Sequence, residues 1–436
     1  MSARMFHLGW FLNYSPPAWQ GPFHRPDSED WTSGDFLVDV ARLLERGKFD
    51  YMMFEDSLMV SDVYQGSMEA DLKYHRYAPK HDPLPLIPYI AAKTEHIGLI
   101  GTSSTSFNHP YATARSFATL DHVTRGRIGW NVVTSSEDRA AQNFGLERLY
   151  DHDERYEMAD EYVDVVHQLW DSWDPGAMIM DRERRIHTDH SKVRVIEHRG
   201  KYFTARGPLN MSPGPQWHVP LCQAGGSPKG RDLAAKWAST ILVIAPNLEE
   251  MKAYRDDIRG RMKTFGRNPD DLKVCFVVFP VLGETDEIAR TKAALAAAND
   301  PDRLDRSLAN ISALTNVDFS QFALDEPLPD VTTNGHTSTL QTFLHGRVPG
   351  QTTLRELADK PVAESVSFVG SPSTVAEKMG EVMEYVGGDG YLLATHDMSR
   401  NYVTQIVDGL IPELQARGLT RREYTADTLK GNLLAF

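Results

Sequence analysis

Gly126-Arg127-Ile128-Gly129-Trp130-Asn131-Val132-Val133-Thr134-Ser135 decides the fold. Ile128, Trp130, Val132 and Val133 supply the apolar content of one buried β-strand, entered from a glycine. Asn131, Thr134 and Ser135 leave donors and acceptors towards its C-terminal end. In a parallel α/β architecture that end of a strand is where ligands sit. The same polar groups can equally satisfy a local loop, so this strand alone leaves both readings open.

The rhythm around it is strand, helix, strand. On the N-terminal side come a strand at 6–13, an amphipathic helix at 33–47 and a strand at 50–57. A helix at 84–93, a strand at 97–106 and a helix at 111–124 follow. Phe36, Leu37, Val40, Leu43 and Leu44 share one face of the first helix. After the decisive strand a helix runs from about 154 to 169. Strands at 219–226, 239–246, 273–283 and 390–396 then alternate with helices at 227–237, 248–265, 285–298, 371–386 and 400–417. Two stretches break the alternation. Residues 173–219 are polar and irregular, with a hairpin expected at 193–207 turning at Gly200. Residues 299–365 are rich in Asp, Pro, Asn and Thr and read as a lid. About eight strands alternating with helices argue for parallel pairing through helical crossovers. That number closes a (β/α)8 barrel, although the pattern alone also fits a doubly wound sheet.

Composition sets the outer bounds. The chain has 436 residues, 41% of them hydrophobic, enough for a large core. Its formal charge of −14, from 46 basic and 60 acidic residues, argues against nucleic acid or an anionic membrane as partner. Cys222 and Cys275 both lie in apolar strand-like runs and read as reduced core thiols of a cytoplasmic protein. No apolar run reaches the length of a membrane span. None of the 16 histidines falls in a helical metal-ligand spacing, so no metal is assigned. A nucleophile elbow is absent too.

The remaining signals sit at strand ends. Glu55 and Asp56 close the second strand and, being adjacent, face opposite ways, so they are not a paired acid and base. Ser103 to Ser106 close the third, with hydroxyls that can meet a planar heterocycle or local backbone. His152-Asp153-Glu154-Arg155-Tyr156 opens a helix, with Asp151 or Asp153 as its N-cap. A helix start also offers an anion site. Gln223-Ala224-Gly225-Gly226-Ser227-Pro228-Lys229-Gly230-Arg231 is a glycine-rich strand-to-helix turn, with Ser227 as cap and Pro228 in the first turn. It is neither a Walker loop nor GxGxxG.

Taken together, GRIGWNVVTS, HDERY and AGGSPKGR resemble the signature segments of the family of nitrilotriacetate monooxygenase component A and dibenzothiophene-sulfone monooxygenase. The likeness extends through Leu43–Asp50, Phe117–His122, Gln142–Gly145, His198–Phe203, Arg206–Leu209 and Pro412–Gly418, nearly end to end. The resemblance implies an α/β fold, a luciferase-like (β/α)8 TIM barrel forming one domain over 1–436 with insertions at about 173–219 and 299–365. It implies an FMN-dependent monooxygenase of a two-component system, in which a separate NAD(P)H:FMN reductase supplies FMNH2. With O2 the enzyme would oxidise a small organic substrate by C–S or C–N cleavage, N-hydroxylation or hydroxylation.

Carried over position by position, the resemblance implies a flavin contact at Asp56 in preference to Glu55. It implies ring and ribityl contacts at Ser106, Asn131 and Thr134, Ser106 keeping the hydroxyl of an expected Thr but losing its methyl. Phosphate contacts fall on Tyr156, Gly226, Ser227 and Arg231. The substrate pocket is assigned to Trp10, Asn13, Ser136 and His396. Ser136 stands where some family members have His, and the segment from Asn13 to Trp19 also departs from them, which leaves the substrate open. No general acid or base is assigned. A homodimer or tetramer is expected, with neither nucleic acid nor membrane as partner. Two other readings stand beside this one: hydride transfer with the deazaflavin F420 on the same barrel, and a flavin-binding protein without catalysis.

Overall fold

The computed structural model describes residues 5–13, 31–298, 301–359, 365–395 and 398–436. Eight strands, each parallel to its neighbours, close into a barrel. They are β1 His7–Asn13, β2 Tyr51–Glu55, β3 Gly98–Ser104, β4 Ile128–Val133, β5 Leu221–Gln223, β6 Thr240–Val243, β7 Lys273–Val278 and β8 Gly390–Leu393. β8 pairs back onto β1, with His7 opposite Gly390, so no edge is left and the doubly wound alternative is excluded. The surrounding helices are α1 Asp35–Arg46, α2 Pro83–Ala91, α3 Pro110–Val123, α4 His152–Trp170, α5 Pro228–Trp237, α6 Leu248–Thr264, α7 Asp286–Ala298, α8 Arg303–Thr315, α9 Thr337–Phe343 and α10 Pro372–Val386. A final helical run, Arg400–Ala416, contains a π turn at Ile406–Leu410. Among the described residues no helix is long and apolar enough to cross a membrane.

Strand alternation sorts the side chains. Tyr51 and Met53 of β2, Ile100 of β3, Cys222 of β5, Cys275 and Val277 of β7 and Leu392 of β8 fill the barrel interior. Their neighbours Met52, Phe54, Leu99, Phe276 and Leu393 face outward and pack under the helices. Both cysteines are free and buried, as their apolar surroundings suggested. Trp10 belongs to the outward set. It is fully buried, its ring 5.9 Å from Phe49 and 6.1 Å from Tyr402, so it packs behind the barrel wall and does not reach the mouth.

The two interruptions carry more order than their composition promised. Within 173–219 the expected hairpin is present as His198–Arg199 against Thr204–Ala205, and a second pairs Met178–Asp181 with Ile186–Thr188. The segment 299–365, expected as a lid without structure of its own, contains several helices in its described part, residues 301–359. It holds α8, α9 and a short helix at Leu354–Ala358 around an apolar cluster of its own, with Leu308, Ile311, Phe319, Leu340, Phe343 and Leu357. Tyr64, from the excursion after β2, is part of that cluster, and its hydroxyl donates to Asp305 at 2.8 Å. The pattern was missed because the apolar positions of three short helices meet one another and not the barrel.

The end of the chain, which the sequence reading left unassigned, closes the bottom of the barrel. Leu429 and Leu433 of the helix Leu429–Leu433 enter the interior cluster. A Cβ on Gly98 would fall 2.5 Å from a Leu429 methyl, and one on Gly129 would fall 3.1 Å from the other, so two strand glycines make room for this plug. Arg421 pins the tail, donating to the buried Asp50 at 2.5 Å, while Asp50 also accepts from the Leu8 N–H at 2.9 Å. Leu429→Ala should therefore lower unfolding free energy by about 2–5 kcal/mol, read from urea denaturation. A loss below about 1 kcal/mol would show that the tail does not seal the barrel.

Candidate active site

The open end of the barrel, where the strands finish, gathers the polar groups. Asn131 is buried on β4, opposite Thr102 of β3 and Cys222 of β5. Its orientation follows from a short relay. The Thr102 hydroxyl donates its one proton to the Phe54 carbonyl at 2.6 Å, so towards Asn131 it can only accept. Asn131 must then present its NH2, which donates to Thr102 Oγ1 at 2.8 Å. The amide oxygen is turned away and is buried without a hydrogen-bond partner among the described residues. A buried acceptor left in this state calls for a donor from outside the protein.

Beside it, the ends of β3 and β4 are laced together. Ser106 Oγ donates to the Thr134 carbonyl at 2.7 Å, Thr105 Oγ1 to the Val133 carbonyl at 3.2 Å, and the Ser104 and Ser135 hydroxyls lie 2.8 Å apart. Ser106 and Thr134 are thus neighbours, and the Ser106 proton serves local backbone. On β2, Glu55 is held by Lys80 at 2.7 Å, and Lys80 also donates to Ser57 Oγ at 2.8 Å. Asp56, one residue on, makes no ion pair with a described residue and accepts from the Ser57 N–H at 2.9 Å. Burial pushes its carboxyl up to about 7; Glu55 and Asp82 push the same way and Lys80 pulls against them. Asn13 ends β1 in register with Glu55. His396 falls outside the described residues.

The turn between β5 and α5 forms a cradle. Gly225 lies against Gly230, where a Cβ would fall 2.6 Å from the Gly230 carbonyl carbon. Ser227 caps α5, its Oγ accepting from the Gly230 N–H at 3.2 Å, and Pro228 occupies the first turn. The Tyr156 hydroxyl, delivered by the first turn of α4, lies 3.0 Å from where a Gly230 Cβ would be. Hydroxyls of Ser227 and Tyr156 therefore meet at the positive end of a ten-residue helix, a setting suited to an anion. Arg231 is engaged differently from its expected phosphate role. It donates to the Gly226 carbonyl at 3.0 Å and to Asp257 at 2.9 Å and lies 4.5 Å from the Tyr254 ring centroid, while Tyr254 donates to the Gly225 carbonyl at 2.5 Å. It braces the turn.

The insertion covers this cradle. A Cβ on Gly226 would fall 2.6 Å from Ser338 Cβ on α9. Asp151 occupies the N-cap position of α4 but makes no capping bond; the His152 N–H is accepted by Asn334 Oδ1 at 2.8 Å. A residue of the insertion thus caps the helix that carries Tyr156. Arg155, also buried, ties the Tyr150 and Asn334 carbonyls together at 2.6 and 2.9 Å. Ser136 is buried under the same cover: its hydroxyl donates to Glu137 at 2.5 Å and its carbonyl accepts from Asn316 at 2.8 Å. His336 approaches Glu137 at 3.8 Å. Asn316, Asn334, His336 and Ser338 escaped the sequence reading because no local motif links them to α4 or β4. Arg155 lies within the HDERY segment, and an arginine one residue from Tyr156 is the local signal for this buried tie.

The comparisons agree with this architecture. The model of the family described as luciferase-like monooxygenase matches residues 7–390. The chain belongs to that family and is an enzyme of the monooxygenase class. It is 34% identical to dibenzothiophene-sulfone monooxygenase of Rhodococcus erythropolis strain XP, over 99% of this chain and 96% of the relative. It is 36% identical to long-chain alkane monooxygenase of Geobacillus thermodenitrificans strain NG80-2, over 95% and 90% of the two chains. A crystal structure of riboflavin lyase with modified FMN and its substrate riboflavin superposes with a TM-score of 0.91, at 27% identity, covering 99% of this chain and 96% of that one.

The Asp56 carboxyl gives this mouth a pH signature. Folded, it keeps its proton to about 7, whereas in the unfolded chain it ionises near ~3.9. Between those values the folded state holds more proton, so this group's contribution to stability falls as pH rises. Asp56→Asn should accordingly lose less stability than wild type between about pH 5 and about pH 8, measured as urea midpoints. Equal losses in the two proteins would contradict the raised carboxyl of the half-buried Asp56.

Proposed function

We propose that this mouth binds reduced FMN and that the protein is the oxygenase of a two-component system acting on a small organic substrate. The observation that carries the reading is the cradle at the start of α5, where the hydroxyls of Ser227 and Tyr156 meet beside a glycine-lined turn. The fit to the cofactor extends inward. Asn131 keeps a buried acceptor free for an N–H or O–H donor of the ring or ribityl chain, and Ser106 and Thr134 stand beside it on the joined ends of β3 and β4. Activation of dioxygen for insertion of one oxygen atom into a substrate is the chemistry reduced FMN supplies when bound.

The chain's own residues bind, orient and shield. Tyr156 and Ser227 would hold the phosphate, and Gly226 lets the backbone approach it. Arg231 fixes the turn through Gly226 and Asp257. Asp56, its carboxyl pushed up to about 7, is in part protonated at neutral pH and in that form can donate as well as accept at the ring edge. Asn334 and Arg155 lock the lid to α4, which keeps water from the mouth during turnover. Ser136 and the end of β1 at Asn13 remain on the substrate side of this proposal, and Trp10 is withdrawn from it because it faces the helices. The reading extends to a separate NAD(P)H:FMN reductase, a cytoplasmic setting and a homo-oligomer.

Equilibrium binding of FMN, oxidised and reduced, to three proteins tests the assignment. Tyr156→Phe and Ser227→Ala should each weaken binding by ~1–3 kcal/mol, the loss expected for a hydrogen bond to a charged oxygen. Unchanged affinity in both variants would remove the phosphate from this cradle.

A further inference from the structure

A second recess lies at the opposite end of the barrel. It has a volume of about 280 Å³ and opens between the C-terminal ends of α4 and α5, the starts of β5 to β7 and the terminal helix Leu429–Leu433. The flavin reading makes no use of it.

One wall is aromatic. His167 stacks on His218 with centroids 4.3 Å apart and planes at 26°, and meets Trp237 edge-on at 5.0 Å. The His167 Nε2 is buried with no hydrogen-bond partner among the described residues. Burial, then the neighbouring His218, pushes this imidazole down to about 3, and Lys430 and Arg267 act in the same direction. It is a neutral ring with one uncommitted polar atom.

The other wall is cationic, in a chain of net charge −14. Lys236 is neutralised by Asp160 at 2.8 Å and His218 is held by Asp171 at 2.8 Å. Arg267 donates to the Ala235 and Ala238 carbonyls at 3.0 and 2.7 Å and makes no ion pair with a described residue. Lys430 makes none either. Asp271 is the one carboxylate lining the recess among the described residues. An aromatic wall beside two cations that form no ion pair with a described residue, and an orphaned ring nitrogen, match a ligand with a planar apolar body and one anionic end.

We propose that this recess is a second ligand site, separate from the mouth, for a small aromatic carboxylate. The carboxylate would lie between Lys430 and Arg267 within reach of His167 Nε2, and the ring against Trp237 and the paired imidazoles.

Calorimetric titration of the full chain with benzoate tests this. Saturable binding is expected, weakened about tenfold in Lys430→Gln, restored in Lys430→Arg and unaltered in Tyr156→Phe. Lys430 is only partly buried, so its replacement should leave the fold intact. Cyclohexylammonium, of similar size and opposite charge, should give no binding, and inorganic phosphate should not displace benzoate. Absence of saturable benzoate binding would overturn the proposal, as would equal affinity in Lys430→Gln or weakening by Tyr156→Phe. Displacement by phosphate would overturn the aromatic part of the ligand class.

Discussion

Closing eight parallel strands into one barrel imposes a single constraint from which the rest follows. Every second side chain must turn inward, and all strand C-terminal ends must meet at one rim. The interior is too narrow to stay empty. Large side chains such as Tyr51, Met53 and Leu392 fill it from the wall, and the Leu429 and Leu433 tail fills it from below, over the bare backbone of Gly98 and Gly129. With the barrel interior filled and its lower end plugged, the polar groups at the strand ends gather at the rim. Asn131 shows the consequence at a single residue: the register that pairs it with Thr102 fixes which way its amide points and leaves its oxygen uncommitted.

The insertion at 299–365 connects to that rim through helix-end chemistry. The first N–H groups of any α-helix lack internal partners. In α4 one of them is satisfied by Asn334, from a segment 182 residues further along the chain. The insertion thus helps to hold the first turn of α4, just before Tyr156. Ser338 against Gly226 and Asn316 on the Ser136 carbonyl make the same connection to the cradle and to β4. The insertion therefore ties the first turns of α4 and α5 and the exit of β4 to one another.

Much of this was legible in the chain. Each barrel strand fell within its predicted run, because a strand buried on both faces is written as continuous apolar residues. Ser227 and Pro228 announced α5 by their own chemistry, and the structure places Tyr156 beside them. What could not be read was contact between distant segments. Nothing local marks Asn334 as the cap of α4, or Leu429 as the barrel plug. Trp10 was misplaced by parity: its neighbours Gly9 and Phe11 turn towards the interior, and one residue's shift along a strand exchanges the two faces. Arg231 was assigned by motif alone, and its pairing with Asp257 on α6 depends on packing that the motif does not encode.

Binding of reduced flavin at the rim is the claim on which the account rests. Anaerobic titration of the purified chain with FMNH2, followed by rapid mixing with oxygenated buffer, tests it most directly. Stoichiometric binding is expected, tighter for reduced than for oxidised FMN, with an oxygen-dependent absorbance transient that free FMNH2 does not give. Failure to bind FMNH2, with binding of the deazaflavin F420 in its place, would contradict it and assign the same barrel to hydride transfer.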